Sequence, residues 1–175
     1  EAIRDVGRQY LNEGNYTAAL KNLLDAQKLY DDDPVLYDYL GLAYLGKGKL
    51  DLAIVHFQQA IEIDPGYAPA LNRLGIAYMA KADWDAAIDC FKAVTADLLY
   101  ATPHFPLTNL GWAHYYKKEY KLAEQSFLKA LELNPDFVKA LRGVGKTLIA
   151  LERTEEASAL FKKAIEKLPA DPKVL

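Results

Sequence analysis

The chain has 175 residues, 51% apolar and 26% charged, a length suited to one domain of about 100–200 residues or to one repeat array. That apolar content excludes disorder, and 10 Gly with 8 Pro exclude collagen-like and low-complexity classes. A net charge of −3 speaks against nucleic acid as a partner, and the single Cys90 excludes a disulfide framework and a cysteine zinc site. No apolar run approaches 18 residues, so no bilayer-spanning segment and no membrane contact are expected. Apolar periodicity near 3.6 then predicts helices at 2–13, 16–30, 34–47, 50–63, 68–81, 84–98, 104–117, 120–133, 138–151 and 154–168. Short turns such as Lys47-Gly48-Lys49 and Lys81-Ala82-Asp83 join them in pairs.

Self-similarity organises these helices. Gly7, Gly41, Gly75, Gly111 and Gly145 each follow a large apolar residue, at spacings of 34, 34, 36 and 34. Three positions later come Tyr10, Tyr44, Tyr78, His114 and Leu148. Ala19, Ala53, Ala87, Ala123 and Ala157 form a further column, followed by Leu23, Phe57, Phe91, Phe127 and Phe161. The glycine and alanine columns allow close helix approach, and the Phe or Leu column is expected to fill the space between one hairpin and the next. Pro65, Pro135 and Pro169 are expected to end second helices, since proline cannot continue one.

These columns resemble the tetratricopeptide repeat over nearly the whole chain. The resemblance implies an all-α, right-handed superhelical solenoid of about five helix-turn-helix pairs. Its repeats are expected at 1–33, 34–67, 68–103 with an insertion, 104–137 and 138–171, as one array over 1–175. Residues 172–175 then read as the start of a truncated helix, and the native protein is expected to continue.

The spacing of 36 places an irregularity in Thr95–Pro106. The second helix of repeat three is expected to run long and turn late. This segment is either a tolerated loop insertion or, because Leu98, Leu99, Tyr100 and Phe105 are apolar, a partner-contact loop. Asp97-Leu98-Leu99-Tyr100, then Pro103, then Leu107-Thr108-Asn109-Leu110-Gly111-Trp112 is similar to the interruption in the type IV pilus biogenesis lipoproteins, the pilotins PilF, PilW and Tgl. That resemblance implies an outer-membrane-anchored, periplasmic protein that assists pilus secretin assembly or localisation. The lipid-attachment Cys would lie upstream of Glu1. Without the resemblance, a cytoplasmic location is the alternative.

Candidate chemistry is thin. No phosphate-binding, nucleophile-elbow or H-E-x-x-H motif is present, so neither catalysis nor a metal nor a cofactor is expected. His114 occupies the Tyr column and reads as a core residue, His56 as a surface histidine, and Cys90 as a small packing residue. His104 has too few neighbouring ligands for a metal. Asp31-Asp32-Asp33 and Glu155-Glu156 read as helix caps and first-turn acids.

The first helix of each pair is expected to line a concave groove. Its candidate partner-binding residues are Arg4 and Arg8; Leu42 and Leu45; Asn72, Arg73, Ile76 and Met79; Phe105, Asn109, Trp112 and Tyr115; and Arg142 with Lys146. Lys139 lies on the same lining. The pattern is apolar in the middle and basic at both ends, suited to an amphipathic helix or apolar peptide carrying acidic residues. The leading reading is a non-catalytic module binding a protein or peptide partner, a secretin subunit in the pilotin case. Alternatives are a generic cytoplasmic scaffold or co-chaperone, and the recruiting part of a larger enzyme.

Overall fold

A computed structural model describes residues 2–97 and 100–166. Leu98, Leu99 and the tail with Pro169 lie outside the described residues. The chain divides into two compact units, residues 1–100 and 101–175. Every regular element among the described residues is an α-helix. Unit 1 holds α1 (Ala2–Asn12), α2 (Tyr16–Gln27), α3 (Pro34–Gly46), α4 (Leu50–Ile63), α5 (Ala68–Ala80) and α6 (Trp84–Ala96). Unit 2 holds α7 (His104–Tyr116), α8 (Tyr120–Leu133), α9 (Val138–Ala150) and α10 (Thr154–Glu166). Each odd-numbered helix packs on the even one that follows it. The first helices also pack side by side: α1 on α3 and α3 on α5 in unit 1, α7 on α9 in unit 2.

The glycine and Phe columns meet each other. A Cβ added at Gly41, Gly75 or Gly111 would stand within 2.6 Å of the ring of Phe57, Phe91 or Phe127 respectively. Gly7 bears the same relation to Leu23, and Gly145 to Phe161. The three rings of Phe57, Phe91 and Phe127 are fully buried, as are Ala53, Ala87 and Ala123. The ring therefore sits on the glycine of its own hairpin. Phe127 also presses on Gly143 of the next first helix, so in that case it fills the inter-hairpin space as well.

The turns inside the pairs repeat with equal regularity. Gly14, Gly48, Ala82, Lys118 and Glu152, each seven residues after a column glycine, have positive φ between 59° and 71°. The next amide then donates back to the carbonyl five residues earlier: Asn15 to Tyr10, Lys49 to Tyr44, Asp83 to Tyr78, Glu119 to His114 and Arg153 to Leu148. This closes the helix C-terminus by the left-handed capping motif. Asp33 caps α3, its Oδ1 accepting from the amides of Val35 and Leu36 at 2.9 and 3.3 Å.

Two expectations are corrected. The second helix of repeat three does not run long: α6 ends at Ala96, where Asp97 turns to extended backbone, and α7 begins again at His104. The additional residues are accommodated in the connection. His56 is not a surface histidine. It stacks on Tyr44 at 5.1 Å and on Tyr37 at 6.0 Å, and its Nδ1 is shut away from solvent. Burial pushes its pKa below the ordinary 6.5. Neutral His56 is the form that packs between the two tyrosines.

Two tests follow from this packing. Gly111→Ala is expected to cost about 1–3 kcal/mol through overpacking against Phe127, despite alanine's better helix propensity. In a denaturation cycle with Phe127→Ala, the double variant should lose less than the sum of the two single losses, because the added Cβ at 111 then has no ring to meet. Equal, additive losses would deny the interlock. For His56, folding holds the ring neutral, so the unfolded chain binds more protons below the unperturbed 6.5. Stability should therefore fall as pH drops from about 6.5 towards 5, and His56→Phe should flatten that part of the melting-temperature profile.

Candidate partner-binding surface

The exposed faces of the first helices carry the sequence candidates, and the two units differ in how they use charge. In unit 1, α1 places Arg4 against Asp33, in an ion pair that ties α1 to the cap of α3. Arg8 stands on the exposed side with Asp5 at 3.9 Å. On α3, Leu42 and Leu45 are half-buried and pack against the cluster of Ala53, Ile54, Phe57 and Leu74. On α5, Asn72 and Met79 are half-buried and Ile76 is exposed.

Arg73 extends from α5 to Asp38 on α3 and pairs with its Oδ2. Asp38 is fully buried. Burial pushes its carboxyl above the usual range, while Arg73 and a hydrogen bond from Tyr67 pull the other way. Tyr67 is pushed up to about 12 by its own burial and by the Asp38 charge. Such a buried carboxylate fixes the guanidinium in place more than it stabilises the fold. The sequence pattern places Asp38 on the lining of the first helices but gives it no partner. Its partner stands 35 residues away, a separation no motif encodes.

In unit 2, α7 and α9 present aromatic rings and cations together. Trp112 is half-buried. One side packs edge-on against Phe127 at 5.1 Å, and Arg142 from α9 lies over the indole at 5.5 Å. Tyr115 meets Trp112 edge-on at 5.6 Å, and Tyr116 is tilted against it at 6.1 Å. Phe105 belongs to a separate group, packed with His104 at 4.4 Å and edge-on to Phe137 at 5.1 Å. Asn109 is half-buried, whereas Lys146 is exposed. The face thus offers a cation–π pair beside an exposed phenyl ring, both groups typical of binding hot spots.

The remaining polar side chains have structural duties. His114 is buried and its Nδ1 lies 2.6 Å from Glu119 Oε2. Hydrogen bonds from His114 and Lys117 hold the Glu119 carboxyl below the usual range. Arg153 links Glu124 on α8, at 2.8 and 2.9 Å, with Glu156 in the first turn of α10. Burial pushes the Cys90 thiol up to about 11, so it is protonated and poorly nucleophilic at neutral pH. Among the described residues no group of three His, Cys, Asp or Glu could hold a metal ion, and no helix is long and apolar enough to cross a membrane.

Comparison with known proteins agrees with this geometry. Residues 41–82 match a model described as TPR repeat, and residues 70–98 and 106–137 match models described as tetratricopeptide repeat. The type IV pilus assembly protein PilF of Pseudomonas aeruginosa is 28% identical over 164 residues, covering 92% of this chain and 64% of PilF. The chloroplastic tetratricopeptide repeat domain-containing protein PYG7 of Arabidopsis thaliana is 35% identical over 70 residues, covering 38% of this chain and 23% of PYG7. The chain therefore spans less than two thirds of the length of either relative. Among solved structures, MamA superposes with a TM-score of 0.83 at 24% identity, covering 93% of this chain and 94% of MamA. MamA of Desulfovibrio magneticus RS-1 gives 0.84 at 22% identity, covering 94% and 92%. The chain is a tetratricopeptide-repeat protein, a protein–protein interaction scaffold with the all-α fold of that family, and it resembles PilF over most of its length.

Proposed function

We propose that the chain is a non-catalytic module that binds a segment of a partner protein on the exposed faces of its first helices, and that this partner is a pilus secretin subunit. The observation that carries the binding reading is the half-buried Trp112 with Arg142 stacked over it. The arrangement leaves ring and cation together at the surface, where a partner can desolvate both. The remaining candidates divide by role. In unit 2, Phe105 and Tyr115 supply apolar area and Asn109 an amide. In unit 1, Ile76 and Met79 supply apolar area and Asn72 an amide, Leu42 and Leu45 pack on the core beneath, and Arg4 and Arg73 are held by Asp33 and Asp38.

The pilus assignment rests on the similarity to PilF and on the interruption before α7. A periplasmic location anchored at the outer membrane follows from the same reading. Among the described residues, the titratable groups that depart from their ordinary range serve packing and ion pairs, which supports a binding module over an enzyme.

Trp112→Ala is expected to weaken binding of the purified secretin subunit by about 2 kcal/mol or more, the size of a hot-spot truncation. Its cost in stability should be smaller than that of Phe91→Ala, whose fully buried ring is worth about 3–5 kcal/mol. Calorimetric affinity and melting temperature on both variants decide the matter. Unfolding by Trp112→Ala as severe as by Phe91→Ala would make the indole a core residue. No binding of the secretin subunit to the unaltered chain would remove the pilus assignment.

A further inference from the structure

Charge is divided unevenly along this chain. Residues 1–100 hold 9 Lys or Arg against 15 Asp or Glu, whereas residues 101–175 hold 12 against 9. The net values, −6 and +3, have opposite signs. The faces of the first helices sharpen this contrast. In unit 1 the guanidiniums of Arg4 and Arg73 are each taken by a carboxylate of the neighbouring first helix or its cap. In unit 2 Lys139, Arg142 and Lys146 form no ion pair or hydrogen bond among the described residues, and all three side chains are exposed. Their spacings of three and four place them in one row along α9.

We propose that this row docks an acidic segment of a partner protein, a reading that rests on the partner-binding surface described above. Arg142 is held over Trp112 by the cation–π contact, so its planar fork of N–H donors is positioned before a ligand arrives. A carboxylate can then engage it through two parallel hydrogen bonds. Lys139 and Lys146 flank it as two further point charges. Exposed Val138 and Ile149, with 71% and 53% of their surface open, lie at the two ends of the row. The matching ligand therefore carries acidic side chains in its middle and an apolar residue towards each end. A protein occupant suits the scaffold family better than nucleic acid does, since three cations in one row are few for tracking a phosphate backbone. The N-terminal cations do not share this role, because their charge is already spent within unit 1.

The test uses the full chain and two short fluorescein-labelled peptides, one of Glu, Leu and Ser and its twin with every Glu replaced by Gln. The acidic peptide should bind more tightly, and its affinity should fall as salt rises. The triple variant Lys139→Gln, Arg142→Gln, Lys146→Gln should lose roughly tenfold in affinity, the joint effect of three exposed ion pairs. A triple variant elsewhere on unit 2 makes the same change in net charge: Lys121→Gln, Lys129→Gln, Lys162→Gln, all exposed. It should bind like the unaltered chain. Both variants should stay folded and melt cooperatively, the Arg142 variant slightly earlier through loss of its contact with Trp112.

Equal loss in the two triple variants would overturn the proposal, because net charge alone would then explain binding. So would equal affinity for the two peptides, or no binding of the acidic one at millimolar concentration. Displacement of the acidic peptide by an equal concentration of single-stranded DNA would assign the row to nucleic acid. Self-association at low salt that the Lys139, Arg142, Lys146 variant abolishes would assign it to a second copy of the chain. If the neutral peptide binds as tightly as the acidic one and Trp112→Ala weakens both, the surface stands and only its acidic partner is lost.

Discussion

A missing side chain opposite a large one governs this structure. At every column glycine, the space a Cβ would occupy is filled by a ring or a leucine from the second helix of the same pair. That contact fixes how closely two helices lie and which residues face each other. It also fixes which residues of the first helix are left outward. The positions three before, one after and four after the glycine carry Asn72, Ile76 and Met79 in repeat three. In repeat five they carry Arg142, Lys146 and Ile149. The outward face of the first helices is thus a by-product of core geometry, and its chemistry can vary from repeat to repeat without disturbing the fold.

That freedom explains why equivalent positions have unlike fates. Arg4, Asp38 and Arg142 stand in one column. Arg4 ends in an ion pair with a helix cap. Asp38 is buried and anchors an arginine of the next first helix. Arg142 is exposed and lies on an indole. Removing one partner of the buried pair would leave the other charge desolvated, which is far more costly than losing a surface contact. Substitution at the first two positions therefore acts on the fold, and at the third on the exposed surface.

Legibility in the sequence follows the same divide. The helices, their pairing and the core were readable because they depend on a fixed period and on residue size: Gly with Phe, Ala with Ala, Pro after a helix. The aromatic surface was readable as positions, since Trp112 and Tyr115 share a helical face. What the pattern could not show were contacts set by the next repeat. The pairing of Arg73 with Asp38 and of Arg4 with Asp33 requires knowing which side chains bend across to a neighbouring helix. The stacking of His56 on two tyrosines was hidden for a similar reason: its column holds Asn22, Cys90, Ser126 and Leu160 elsewhere, a mixture with no physical signature. The end of α6 was misread because added residues look alike in a sequence, whether they lengthen a helix or the link after it.

The left-handed turns have a consequence for how the molecule opens. Repeats one and two make this turn with Gly14 and Gly48, which adopt the conformation without steric cost. Repeats three, four and five place Ala82, Lys118 and Glu152 there, each holding about 1–3 kcal/mol of local strain. The packing on either side and the returning amide hydrogen bonds hold these three residues in place. Transient separation of a hairpin releases that strain, so the later repeats carry a built-in bias towards breathing that the first two lack. Amide protons beside Ala82, Lys118 and Glu152 then exchange with solvent ahead of their counterparts beside Gly14 and Gly48, other contacts being equal. The shape of the backbone is the same at all five turns, yet the steric strain it carries is not.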